Sequence, residues 1–188
     1  MKDSCRQRQS GRMSRRDVLR IGTGVVAGLI LPPVLAAVPV PAERSLSFYN
    51  THTGESTTAV YWAGDSYIAS ALQEINVILR DHRSGDIHSM DKDLLNLLFV
   101  LRMQVDSSCA YQVISGYRSP STNAGLRKKS SGVAKHSFHM QGKAIDIRLP
   151  GCDLQHLHRA ALDLKAGGVG YYAASDFIHV DVGPLRRW

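Results

Sequence analysis

The side chains able to do chemistry in this chain are its eight histidines and the carboxylates near them. In Ala144-Ile145-Asp146-Ile147-Arg148 a period of two puts Ile145 and Ile147 on one side of a strand and Asp146 on the other. The same alternation in Ile178-His179-Val180-Asp181-Val182 buries the aliphatic residues and turns His179 and Asp181 outward together. If these strands lie side by side, Asp146 and His179 meet over one cleft, and His139, in the loop entering the first strand, can fold back to join them. Two imidazoles and one carboxylate leave a fourth position open for water, the arrangement of a catalytic rather than a structural zinc site. His136, three residues before His139, competes as a ligand on spacing alone. His52, His82, His88, His156 and His158 lie near turns or on the flanks of helices and read as surface imidazoles.

The full segment Ser137-Phe138-His139-Met140-Gln141-Gly142-Lys143-Ala144-Ile145-Asp146 has the pattern Ser-x-His-x-x-Gly-x-Ala-x-Asp. That pattern resembles the zinc motif of peptidase family M15, the D-Ala-D-Ala carboxypeptidases and murein endopeptidases. Upstream Ser115-Gly116-Tyr117-Arg118-Ser119 and downstream His179 resemble the family's other landmarks, in the same order. From Leu46 to Trp188 the chain is similar to the YcbK-type branch of that family. The resemblance implies that His139, Asp146 and His179 are the Zn2+ ligands and that Arg118 contacts the substrate carbonyl or carboxylate. Within the motif, Gly142 lets the loop turn sharply, Ala144 leaves space on the face of Asp146, and Ser137 can hold the loop by a hydrogen bond.

Two carboxylates compete for the role of general base. Many M15 relatives place a Glu three residues before the last His ligand, and the residue here is Asp176, one methylene shorter. Asp181 shares the outward face of His179 by strand parity, and it could equally orient that imidazole from behind, as carboxylates around zinc commonly do.

The elements that must position these groups can be read from periodicity. Leu46 to Asn50 and Thr57 to Trp62 suggest an opening hairpin around Thr53-Gly54-Glu55. Ile68, Leu72, Ile75 and Leu79 recur at helical spacing, as do Leu94, Leu97, Leu98, Leu101 and Val105. Tyr111 to Ser115 alternates as a strand, and Ser119-Pro120 then starts a short helix with Ser as N-cap. Asp153 caps a helix carrying Leu154, Leu157, Ala161 and Leu164, which Gly167-Gly168 should end. Val169 to Tyr172 and Phe177 to Val182 pair as the closing strands. The expected fold is α+β, helices packed on a small, mainly antiparallel sheet, which the resemblance makes an M15/hedgehog-like zinc peptidase fold.

The chain has 188 residues, 44% of them hydrophobic and 21% charged, which fits one globular domain with a short appendage and excludes wholesale disorder or a polytopic membrane protein. Its formal charge of +7 looks like a nucleic-acid signature until it is located. Residues 1–30 carry seven basic side chains against Asp3 and Asp17, a net of +5, so the remainder holds only +2 and no nucleic-acid partner is expected. The basic start, the moderately apolar Ile21 to Leu31 and the small residues Ala36 and Ala37 follow a signal-peptide plan. Ser14-Arg15-Arg16-Asp17-Val18-Leu19-Arg20 resembles the twin-arginine export signal, the alternative being an ordinary Sec signal. Residues 1–42 are read as this signal and 43–188 as the zinc peptidase domain, periplasmic and with no stable membrane insertion after cleavage. In that oxidising space Cys109 and Cys152 would be either one disulfide or two buried thiols.

The resemblance implies a periplasmic zinc metallopeptidase that cuts peptidoglycan cross-links, at D-Ala–diaminopimelate or diaminopimelate–diaminopimelate bonds. A D-Ala-D-Ala carboxypeptidase of the same family is an alternative. A module that holds zinc and peptidoglycan stem peptides without turnover is another.

Overall fold

The computed structural model describes residues 42–188. The paired arginines and the rest of the expected signal, residues 1–41, lie outside the described residues. Eight strands form one sheet: β1 (Glu43–Asn50), β2 (Ser56–Ala63), β3 (Ser66–Tyr67), β4 (Tyr111–Ser115), β5 (Ala144–Arg148), β6 (Gly168–Tyr172), β7 (Phe177–Asp181) and β8 (Arg186–Arg187). Their spatial order is β3-β2-β1-β4-β5-β7-β6-β8. Four α-helices accompany them: α1 (Ala69–Ile78), α2 (Lys92–Gln104), α3 (Pro120–Lys129) and α4 (Leu154–Asp163).

The α+β class agrees with the expectation, but the sheet is larger than expected and mixed. β1 runs parallel to β4, and β6 parallel to β8, while the other neighbours are antiparallel. Alternation could not reveal this. Two-residue strands such as β3 and β8 are too short to show a period, and the β1–β4 pairing joins segments separated by both long helices.

Strand parity sorts the sheet into two faces. Leu46, Phe48, Tyr111, Val113, Ile145, Ile147, Ile178 and Val180 all point to one face and are almost completely buried. On that side α1 packs against β1 and β2, α2 against β1, and α4 against β6 and β7. Ile75 and Leu79 with Leu94, Leu98 and Leu101 supply the helical half of the core, with every one of these side chains fully buried. Burying a Leu or Ile side chain contributes roughly 1.5–3 kcal/mol, which makes this layer the rigid floor on which the other face is built.

Helix starts follow their caps. Asp91, Ser119 and Asp153 accept hydrogen bonds from the backbone N–H of Asp93, Thr122 and His156, which opens α2, α3 and α4. The end of α4 differs from expectation. The helix stops at Asp163, Lys165 takes the left-handed turn at φ 50°, and Gly168 opens β6. No Cys109–Cys152 bridge forms, for Cys152 is a free thiol.

Candidate metal centre

The face opposite the core carries one row of facing residues across four strands. Ser115 of β4 pairs with Asp146 of β5, Asp146 with His179 of β7, and His179 with Gly170 of β6. Residues so paired have their Cβ atoms about 4.5–5.5 Å apart, so register alone brings Asp146 and His179 into contact. The outward face is not open to solvent, however. Asp146, His179 and Asp181 are all buried, because the Ser137–Gly142 turn, the Arg118 loop and Trp188 fold over them.

His139 arrives from a single 3₁₀ turn, Phe138–Gln141. Ser137 caps it by accepting from the His139 N–H at 3.4 Å. Gly142 ends it at φ 66°, where a Cβ would stand 2.3 Å from the Ser89 carbonyl oxygen. Only glycine satisfies both the left-handed backbone and that approach. The Gly142 carbonyl accepts from Asp91 N–H at 2.9 Å, which ties the turn to the start of α2.

Each imidazole has one nitrogen engaged and the other turned inward. His139 donates Nδ1–H to the Gly116 carbonyl at 2.8 Å, leaving Nε2 as the lone-pair atom. His179 donates Nε2–H to Asp181 at 2.9 Å, leaving Nδ1. The two inward nitrogens lie 3.2 Å apart, and Asp146 Oδ1 lies 2.9 Å from His179 Nδ1 and 3.3 Å from His139 Nε2. Donors 2.0–2.1 Å from a tetrahedral ion stand about 3.3–3.4 Å from one another, so this buried group could hold a metal ion with little movement. Burial works to raise the Asp146 pKa, but the two imidazoles outweigh it and keep the carboxyl well below its ordinary range.

The carboxylates weighed as general base sit elsewhere. Asp181 is fully buried behind His179 and accepts from Gly168 N–H at 3.0 Å, Gly183 N–H at 2.8 Å and the Arg186 guanidinium. Burial opposes its charge, yet the bonds from His179, Gly183 and Gly168 hold its pKa down. Asp176 occupies the irregular turn between β6 and β7 at φ 51°, and its side chain is 65% exposed and paired with Arg148 at 3.1 Å. That turn aims it at a second depression, beside Gln112 and Arg148, away from the metal group.

A cavity of about 530 Å³ opens onto the group. Arg118 lines it, donating to Ser115 Oγ at 3.2 Å and lying 3.4 Å from Asp146 Oδ2. Its Nε is buried with no hydrogen-bond partner among the described residues, and burial lowers its pKa. A desolvated guanidinium with one unpaired N–H beside this group could donate to a carbonyl or carboxylate oxygen. The loop that carries it is fixed by buried Asp81, which accepts from Ser119 N–H at 2.8 Å and Arg83 N–H at 3.0 Å. His136 lines the cavity but stays outside the ligand group.

Sequence reasoning missed the opposite wall, made by Tyr172, Arg186 and Trp188. The available signal was Gly168-Val169-Gly170 within a strand, since glycine there marks a close approach by something else. The surface reading of His82 also needs correction. Its ring stacks on His52 with centroids 3.7 Å apart, and burial, followed by Arg83 and His52, pushes its pKa down to about 4.

Comparison with known proteins gives one consistent picture. The family described as peptidoglycan L,D-endopeptidase MepK, of the M15 peptidases, matches residues 38–188. The peptidoglycan L,D-endopeptidase MepK of Escherichia coli (strain K12) is 42% identical over 176 residues, 93% of this chain and 97% of the relative. The probable peptidoglycan L,D-endopeptidase MepK of Haemophilus influenzae is 39% identical over 178 residues, 93% of this chain and 95% of the relative. No solved structure matches.

Proposed function

The chain belongs to the M15 peptidase family of the peptidoglycan L,D-endopeptidase MepK, and from that premise we propose that it is a zinc-dependent murein endopeptidase hydrolysing peptide cross-links of peptidoglycan. The observation that carries the zinc assignment is the closure of His139 Nε2, His179 Nδ1 and Asp146 Oδ1 to within 3.3 Å of one another, with both far imidazole nitrogens already engaged. Two nitrogens and one oxygen suit zinc, and three protein ligands are the number that leaves a position for water or substrate. Bound there, zinc would supply an acidified water and polarise the scissile carbonyl.

The protein's own groups do the rest. Arg118 receives a peptide oxygen on its unsatisfied guanidinium edge and steadies the charge that develops on it. Asp181 keeps His179 in the tautomer that presents Nδ1, a positioning role, while Gly116 does the same for His139 through its carbonyl. The relatives are named for an L,D activity. Of the two cross-links considered, diaminopimelate–diaminopimelate is the L,D bond, joining an L-centre carboxyl to a D-centre amine, whereas D-Ala–diaminopimelate is D,D. The first is therefore the proposed substrate.

Such a substrate supports a periplasmic location. No helix among the described residues is long and apolar enough to cross a membrane, and Arg15 and Arg16 in the N-terminal segment would direct export by the twin-arginine route.

Purified muropeptide dimers of each cross-link type test the reading. Conversion of diaminopimelate–diaminopimelate dimers to monomers, with D-Ala–diaminopimelate dimers left intact, is the expected result. Release of terminal D-Ala alone would make the protein a carboxypeptidase, and binding to sacculi with no product would make it a non-catalytic module.

A further inference from the structure

The wall of the cavity facing Arg118 is built around an indole that the core does not need. Trp188 is 48% exposed, yet it is held in place at several points. Its backbone N–H donates to the Val169 carbonyl at 3.3 Å, and its carbonyl accepts from Tyr171 N–H at 3.0 Å. Its Nε1–H donates to Tyr172 Oη at 2.8 Å, and Tyr172 in turn stacks on Phe177 with centroids 4.6 Å apart. The Arg186 guanidinium lies 5.3 Å above the indole. Gly170, which faces His179 in the sheet, leaves the space the indole fills, since a Cβ there would come within 2.7 Å of the ring. The outcome is an aromatic surface 5.2 Å from the His179 ring and open to the cavity.

Fixing a large side chain while leaving half of it in water costs conformational freedom without the full return of burial. The return comes when something covers the exposed part. The indole N–H is already used by Tyr172, so what remains is an apolar plane that selects by contact rather than by hydrogen bonding. We propose that Trp188 is a specificity-determining residue, whose indole receives the aliphatic arm of a diaminopimelate residue flanking the scissile bond. That arm, three methylenes between the backbone L-centre and the polar D-centre, is the longest apolar stretch in a stem peptide. This rests on the endopeptidase reading above for the identity of the substrate.

The test compares wild type, Trp188→Ala, Trp188→Gln and Trp188→Phe, zinc-loaded, for kcat and KM on diaminopimelate–diaminopimelate dimers, and metal-free for binding to purified sacculi. Trp188→Ala should keep one zinc per chain and a kcat within about twofold, while KM rises about tenfold and sacculus binding weakens in parallel. Trp188→Phe, which keeps a flat ring, should recover most of both, whereas Trp188→Gln, which keeps length without an apolar plane, should raise KM and weaken binding as Trp188→Ala does and replaces it should Trp188→Ala fail to fold. Unchanged KM and sacculus binding in Trp188→Ala, or in Trp188→Gln in its place, would overturn the proposal. So would lost zinc or lost kcat at constant KM, because Trp188 would then only support His179. A wild type that binds sacculi but cleaves nothing defeats the endopeptidase reading instead, and the metal-free binding comparison still tests Trp188.

Discussion

His179 depends on a carboxylate that never touches the metal position. Asp181 is fully buried and holds the ring through Nε2, so its loss frees the imidazole to rotate and present the wrong nitrogen. Asp181→Ala should weaken zinc affinity by roughly 10–100-fold, measured by competition with a chromogenic chelator, and added zinc should partly restore turnover. Asp176→Ala should leave zinc content and turnover within about twofold, because an exposed ion pair such as Asp176–Arg148 contributes little. Lost turnover with zinc retained in that variant would return Asp176 to the proton-accepting role its spacing suggests. Strand parity made the Asp146, His179 and Asp181 side legible in the sequence, because a period of two assigns faces. It could not tell what covers a face, and so it left open whether Asp181 would face the cleft or sit behind His179, and it gave no sign that the Asp176 turn would aim at Arg148.

The site is assembled by two short connections resting on the helices, and each has a vulnerable point. At Gly142 the left-handed backbone and the Ser89 carbonyl exclude any side chain. Gly142→Ala should therefore destabilise the fold by more than about 1 kcal/mol and lower zinc occupancy, read by thermal unfolding and metal analysis. The Arg118 loop hangs on Asp81. Burial opposes the Asp81 charge, but hydrogen bonds from Thr122, Ser119 and Arg83 more than offset it and lower the pKa. A carboxyl with a depressed folded pKa adds stability above its unfolded pKa of about 3.9 and loses it as pH falls through the folded value. Wild type should thus lose more Tm than Asp81→Asn on acidification below about pH 4, and parallel curves would remove Asp81 from this role. The long amphipathic helices and the strands of five or more residues were legible because they repeat. The β8 edge, and with it the Trp188 wall, was not, since Arg186–Arg187 is too short to carry a pattern and its partner β6 is met only in three dimensions.

The whole molecule separates its charge from its chemistry. Most of the net charge sits in the N-terminal segment, while the body is close to neutral and concentrates Arg118 and Arg186 at the cavity, which suits a peptide bearing free carboxylates better than a polyanion. Changing Arg15 and Arg16 together to Lys should stop accumulation of the protein outside the inner membrane, and normal export of that variant would assign the segment to the Sec route. The central claim, that one zinc held by His139, Asp146 and His179 drives cross-link hydrolysis, is tested most directly by titrating zinc into chelator-treated protein while following bound metal and the cleavage of diaminopimelate–diaminopimelate dimers. Cleavage should be absent at the start and rise with occupancy to a plateau at one zinc per chain, with His139→Ala showing neither tight binding nor product. Undiminished cleavage by the metal-free protein, or full cleavage and stoichiometric zinc in His139→Ala, would contradict it.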